Sequence, residues 1–194
     1  MGREFELKFQ ATQDQFAALQ RDFSGFAETK METTYYDSPY RALGMRHWTL
    51  RQRMENGVSV CTLKIPTGDG GRGEWEVECG SIMQAIPRLC KAGAPLELME
   101  RTVNGVIPVC GARFTRLSAL IPTGDGTAEL ALDEGVLLGG GREIPLLEVE
   151  LEHKSGSEPE TVLLARYLAT RYGLVPEKRS KFARALAATS EEKR

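Results

Sequence analysis

At 194 residues the chain is long enough to bury one apolar core of its own. Its 25 Lys and Arg against 27 Asp and Glu leave a formal charge of -2, which excludes the broad basic field that holds a nucleic-acid backbone or an anionic membrane, so any polyanion site must be local. No segment approaches the roughly 18 consecutive apolar residues of a membrane span, and the amino end carries no secretory apolar run, so a cytoplasmic protein is expected. Cys61, Cys79, Cys90 and Cys110 are widely spaced without a C-x-x-C pair and read as free thiols. With only His47 and His153 in the chain, the chemistry falls to carboxylates, Lys and Arg.

Residues 2–10 alternate, Phe5, Leu7 and Phe9 against Glu4, Glu6 and Lys8, the period of a first strand. Thr12-Gln13-Asp14-Gln15 reads as a capping box for a helix through Phe16, Leu19 and Phe23, stopped by Gly25. The β-forming run from Lys30 to Asp37 predicts a second strand, ended by Ser38-Pro39. Asn56-Gly57 is a type I′ turn dipeptide and predicts a hairpin of 46–55 with 58–65. After a Gly68–Gly71 loop, Arg72, Glu74, Glu76 and Glu78 alternate with Trp75 and Val77 in a fifth strand. A helix over 82–92 follows, then strands near 110–121, 127–133 and 143–152. Ser157-Glu158-Pro159-Glu160 opens a helix that ends near Gly173, and a last helix runs from about Lys181 to Ala188. About eight strands precede a helical carboxyl segment (157–190), in one domain (1–194) without repeats or linkers.

On a simple strand the charged side faces water. Here acids and bases are sorted instead of mixed. Glu148, Glu150 and Glu152 hold three successive same-face positions, about 7 Å apart, a row of like charge most easily tolerated with hard cations between its members. Glu4 and Glu6 form a second acidic pair beside Lys8. Arg51 and Arg53 share one face, and Thr62 and Lys64 share a face across the hairpin; such forked and compact donors suit phosphate oxygens. A closed barrel with both kinds of row turned inward would hold a metal-bridged polyphosphate, inverting the usual barrel.

Glu4-Phe5-Glu6-Leu7-Lys8 resembles the E-x-E-x-K signature that opens the first strand of the CYTH family, the triphosphate tunnel metalloenzymes. The resemblance continues through Tyr35-Tyr36-Asp37, Leu50-Arg51-Gln52-Arg53, Thr62-Leu63-Lys64, Arg72-Gly73-Glu74-Trp75-Glu76, Phe114-Thr115-Arg116, Glu129 to Asp133, Glu148-Val149-Glu150-Leu151-Glu152 and Ser180-Lys181, nearly the whole sequence. It implies an α+β fold: a tunnel-shaped barrel of eight antiparallel strands, open at both ends, with helices packed outside. It also implies Mg²⁺ or Mn²⁺ as cofactor and a small-molecule triphosphate as substrate. Position by position, it makes Glu4, Glu6, Glu148 and Glu150 the leading metal ligands, with Glu152, Asp133 and Glu76 as further acids. Lys8, Arg51, Arg53, Lys64, Arg116 and Lys181 would grip phosphate. Arg113 is a weaker candidate, since an undistorted strand turns it away from Arg116. Arg184, one turn past Lys181, is equally compatible with facing solvent. Tyr36 and Asp37 are expected to shape the mouth.

Phe114-Thr115-Arg116, Leu130-Ala131-Leu132-Asp133 and Ser180-Lys181 look most similar to the bacterial inorganic triphosphatase branch, although 153–194 is too short for the helical phosphate-binding domain that often follows there. The resemblance thus implies a metal-dependent triphosphatase acting on inorganic tripolyphosphate. A CYTH-type adenylate cyclase, a thiamine triphosphatase and a non-catalytic polyphosphate- or nucleotide-binding module are the alternatives. In a hydrolase one cation would bridge phosphate oxygens and a second would acidify a bound water. No nucleic-acid or membrane partner is expected, and homodimerisation is left open.

Overall fold

The computed structural model describes residues 2–68 and 71–190, so Asp69 and Gly70 of the expected loop lie outside the described residues. In chain order the elements are β1 (Gly2–Glu4), β2 (Glu6–Gln10), α1 (Gln13–Asp22), β3 (Ala27–Asp37), β4 (Thr49–Glu55), β5 (Val58–Pro66) and β6 (Arg72–Glu78). Then come α2 (Ile82–Lys91), α3 (Glu97–Arg101), β7 (Ile107–Pro122), β8 (Thr127–Gly139), β9 (Arg142–Ser155), α4 (Glu158–Tyr172), β10 (Val175–Pro176) and α5 (Lys181–Ser190). Every strand pairing is antiparallel, in the order β1-β6-β5-β4-β3-β7-β8-β9-β2-β10.

That order is linear in hydrogen bonds, yet the covalent chain brings its two edges together. The expected first strand breaks at Phe5: Glu4 pairs with Arg72 of β6, while Glu6 pairs with Glu152 of β9. A single residue separates the two pairings, so the sheet must curl into a tunnel. The Phe5 carbonyl accepts the His153 N–H at 2.9 Å, holding the joint to β9. With β1 and β2 counted as one bent strand and the two-residue β10 as a side pairing, eight strands form the wall. Asn56 and Gly57 take φ of 48° and 92° between β4 and β5, the left-handed pair that the tight hairpin demands.

The apolar faces turn outward beneath helices. α1 and α4 place Phe16, Leu19, Ala165 and Leu168 over Leu130, Leu132, Val149 and Leu151, and α2 and α3 place Ile82, Ile86, Leu89 and Leu98 over Leu50, Leu63 and Trp75. Each fully buried aliphatic chain there is worth about 1.5–3 kcal/mol, so the wall is stabilised from outside and its inner face is left to charge. A third cluster lies inside. At one end the inward positions become Ala112, Leu137 and Leu146, and α5 packs Ala185 among them. Close approach is possible because Gly139 lacks a side chain: a Cβ there would stand 2.0 Å from the Ala185 carbonyl oxygen. α5 thus packs against one end of the tunnel.

Candidate functional site

Strand alternation and register stack the charges in rows. Glu6 of β2 lies across from Glu152 of β9, which lies across from Glu129 of β8. The next inward level pairs Lys8 with Glu150, and the third runs Gln10, Glu148, Asp133, Arg116 across four strands. On the facing wall Arg51 lies opposite Tyr35 and Thr62, Arg53 opposite Thr33, and Lys64 opposite Thr49 and Glu74. These walls enclose a cavity of about 360 Å³. In its lining Lys8, Arg51, Arg53, Lys64, Arg72, Arg116, Lys154 and Lys181 are matched one for one by Glu4, Glu6, Glu55, Glu74, Glu76, Glu129, Glu150 and Glu152. The lining is therefore neutral by formal charge, and a triphosphate could enter at low energetic cost only with cations of its own.

The basic wall is incompletely satisfied. Arg51 reaches Glu74 only at 3.8 Å, and its buried Nε–H donates to no group among the described residues. Burial, with Arg51 alongside, lowers the Arg53 guanidinium below its ordinary range. An anion between the two arginines would fill the empty donor and relieve their repulsion. Lys64 is ion-paired with Glu4, and Lys8 with Glu6 at 2.9 Å.

Two acidic groups differ sharply in how they are compensated. Asp133, Glu148 and Glu150 bring ligand atoms within 4.8 Å of one another. Among them, however, lies the Lys181 ammonium, 2.7 Å from both Asp133 and Glu150 and hydrogen-bonded to Glu148, with Arg116 bidentate on Asp133 at 2.7 Å. Burial alone would raise Glu150, but Lys181 and Arg116 outweigh it and hold its carboxyl well below the usual range. Burial would likewise lower Lys181, and the three carboxylates raise it. Glu148 is pushed up to about 7 by burial despite Lys181. By contrast Glu129 makes no ion pair among the described residues, and Glu4, Glu6 and Glu152 each hold one lysine. Burial first, then the neighbouring Glu4 and Glu129, raise Glu152, although Lys154 opposes this. Carboxylate oxygens of this kind suit a hard divalent cation such as Mg²⁺ or Mn²⁺, although among the described residues only Asp133, Glu148 and Glu150 bring three such ligand atoms within 4.8 Å of one another.

The expected residues therefore separate. Glu4, Glu6, Lys8, Arg51, Arg53, Lys64, Glu76, Arg116, Glu150, Glu152 and Lys181 line the cavity together. Asp133 and Glu148, both 0% exposed, stand behind it. Arg184 is not at the surface: it reaches Glu148. Arg113 does not join them. It points outward to an exposed pair with Glu143 at 2.9 Å, because three residues along an undistorted strand reverse the face on which Arg116 lies. Asp37 accepts N–H groups of Ser38, Leu43 and Gly44 at 2.7, 2.9 and 3.0 Å, folding the loop beside the α5 end. Sequence reasoning passed over Glu129, Glu74, Arg72 and Lys154, although Glu129-x-Ala131-x-Asp133 alternates with Leu130 and Leu132 and carries the period-two signal.

The α5 end adjoins a second cavity of about 540 Å³, which shares Thr49, Arg72, Ser180 and Phe182 with the first. Its wall is largely apolar, with Met45, Val109, Ala183 and Leu186, and it carries Arg41 and His47, both at positive φ (57° and 58°).

The family model of the CYTH domain matches residues 2–186. The chain belongs to the CYTH domain family. It is 27% identical over 128 residues to an inorganic triphosphatase of Haemophilus influenzae, a match covering 64% of this chain and 36% of that protein, so the match spans about a third of that curated relative's length. Among solved structures it resembles the PH1819 protein of Pyrococcus horikoshii OT3 at 25% identity and TM-score 0.66, covering 95% of this chain and 98% of that one. The Hippeastrum protein HpAC1, an adenylyl cyclase homologue whose dominant activity is triphosphatase, shares the CYTH fold at 21% identity and TM-score 0.60, covering 100% and 97% of the two chains. No helix among the described residues is long and apolar enough to cross a membrane.

Proposed function

We propose that this CYTH protein is a divalent-metal-dependent triphosphatase that hydrolyses inorganic tripolyphosphate. The carrying observation is the convergence of Lys8, Arg51, Arg53, Lys64, Arg116 and Lys181 on one cavity beside the Glu6–Glu152–Glu129 row. Arg51 and Arg53 supply forked donors and Lys8 and Lys64 compact ones, a set that binds and orients a chain of phosphoryl groups and offsets charge on the equatorial oxygens. Glu4, Glu6, Glu129 and Glu152 would hold Mg²⁺ or Mn²⁺, which when bound supplies charge neutralisation and an acidified water. Tyr35 and Phe182, 5.1 Å apart, narrow the α5 end and restrict water. The Haemophilus relative, named for the same activity, supports the reading.

The second cavity favours one alternative: an organic triphosphate, such as a nucleoside or thiamine ester, with its organic group against Met45 and Leu186 and its phosphates in the tunnel. Product analysis with tripolyphosphate, ATP and thiamine triphosphate separates these readings. Metal-dependent phosphate release from tripolyphosphate, lost with chelator, is expected. Cyclic AMP and pyrophosphate from ATP without tripolyphosphate cleavage would replace the hydrolase by a cyclase, and tight polyphosphate binding without turnover would leave a binding module.

A further inference from the structure

We propose that Asp133, Glu148 and Glu150 form the seat of the Lys181 ammonium and not of a second divalent cation, so that the tunnel supplies this cation from its own chain. What Lys181 does to substrate rests on the triphosphate reading; what fills the three carboxylates does not.

The spacing of the three acids, with ligand atoms within 4.8 Å, is that of a hard-cation site. Their oxygens are nevertheless all taken. The Lys181 ammonium donates to Glu150 Oε1 at 2.7 Å and to Glu148 Oε1, and stands 2.7 Å from Asp133 Oδ2 as an ion pair. Arg116 takes Asp133 Oδ1 at 2.7 Å and Glu150 Oε2, and Arg184 takes Glu148 Oε2. Three carboxylates thus meet three fixed cations, with no oxygen left for a metal. Each carboxylate of this buried cluster is paired with a cation, although the Arg184 Nε–H meets no acceptor among the described residues.

The fold brings the ammonium there by a defined route. Ser180 caps α5 by accepting the Ala183 N–H at 3.1 Å, which makes Lys181 the first helical residue. Upstream, β10 is paired to β2, and the Glu177 N–H donates to the Lys8 carbonyl at 2.8 Å. Asp133 and Glu148 do not line the cavity, whereas Lys181 does. They are positioning residues: they aim a permanent positive charge at one end of the bound anion, in place of a second ion that would have to be recruited with each substrate.

The test is a titration with Mn²⁺ alone, free metal being read by electron paramagnetic resonance. Lys181→Met keeps all but the last atom of the side chain's length and empties the seat, and it should bind one more Mn²⁺ per chain than the unsubstituted protein. Adding Glu148→Gln to Lys181→Met should remove that extra ion. In the otherwise unsubstituted protein, Glu148→Gln should leave the Mn²⁺ stoichiometry unchanged. If Lys181→Met gains no ion, or if Glu148→Gln alone loses one, the proposal is overturned; the second comparison stands even if Lys181→Met does not fold. Absence of phosphate release from tripolyphosphate, with these stoichiometries as expected, would refute the triphosphatase reading and leave the Lys181 seat intact.

Discussion

The most informative single perturbation touches no charged residue. Gly139→Ala adds one methyl at the end of β8, where a Cβ would stand 2.0 Å from the Ala185 carbonyl oxygen, 3.1 Å from its carbon and 3.2 Å from the Ala188 Cβ. Gly139 is not among the residues at positive φ, so the backbone tolerates alanine and the contact alone is at issue. The obstacle is backbone, and rotamer change cannot relieve it, so α5 must withdraw by more than 1 Å, roughly the shortfall from van der Waals separation. Overpacking of this kind costs about 1–3 kcal/mol, or on the order of 2–12 °C in Tm for a chain of this size. Because Lys181 opens α5 and Arg184 lies one turn on, the same shift draws both cations away from Asp133, Glu148 and Glu150. Calorimetry together with steady-state phosphate release should therefore show a lower Tm and a raised KM for tripolyphosphate. A variant as stable as the parent, with unchanged KM, would refute the argument that α5 is seated on β8 and carries the cation into place.

Other outcomes follow from the same geometry. Arg53→Ala removes a guanidinium that burial and Arg51 already disfavour, so KM should rise about 10- to 100-fold, the worth of one or two charge-assisted hydrogen bonds, without a fall in Tm; a large drop in Tm would mean that Arg53 serves the fold. Glu177 is held down to about 2 by the Arg179 side chain, against burial, and by the Arg179 N–H and Gln10. Its folded pKa lies below the unfolded value of about 4.3, so its contribution is present above that value and is lost as pH falls towards 2. Glu177→Gln should consequently melt below the parent at pH 7 and converge with it only as pH falls to about 2, and a gap independent of pH would count against this.

Much of the wall was legible because strand alternation is a local signal. Glu4-x-Glu6-x-Lys8, Arg51-x-Arg53 and Glu148-x-Glu150-x-Glu152 announce which side chains share a face, and Asn56-Gly57 fixes the hairpin. Alternation does not say how the wall closes. The break at Phe5, which assigns one half of a strand to each edge of the sheet, has no local signature. Nor does it distinguish an acid that awaits a metal from one that is already paired. Glu148 and Glu152 are alike in sequence, but Lys181 and Arg184 reach only the former, from more than 30 residues away along the chain. Glu129 shares its strand's alternation with Asp133, but its place beside a second acid comes only from the register that sets it across from Glu152. Strand ends were short of the observed ones, β7 to β9 running on to 107–122, 127–139 and 142–155, because their outer turns carry mixed residues whose pairing is decided by neighbours.

The proposed reaction needs a triphosphate among the basic residues with one divalent cation on the acidic row. Anomalous diffraction from crystals grown with Mn²⁺ and tripolyphosphate tests it most directly. Phosphate oxygens are expected against Lys8, Arg51, Arg53 and Lys64, with a single protein-bound Mn²⁺ peak within coordination distance of the Glu4, Glu6, Glu129 and Glu152 carboxylates and the Lys181 ammonium still between Asp133, Glu148 and Glu150. A Mn²⁺ peak in place of that ammonium, or tripolyphosphate bound outside the tunnel, would contradict it.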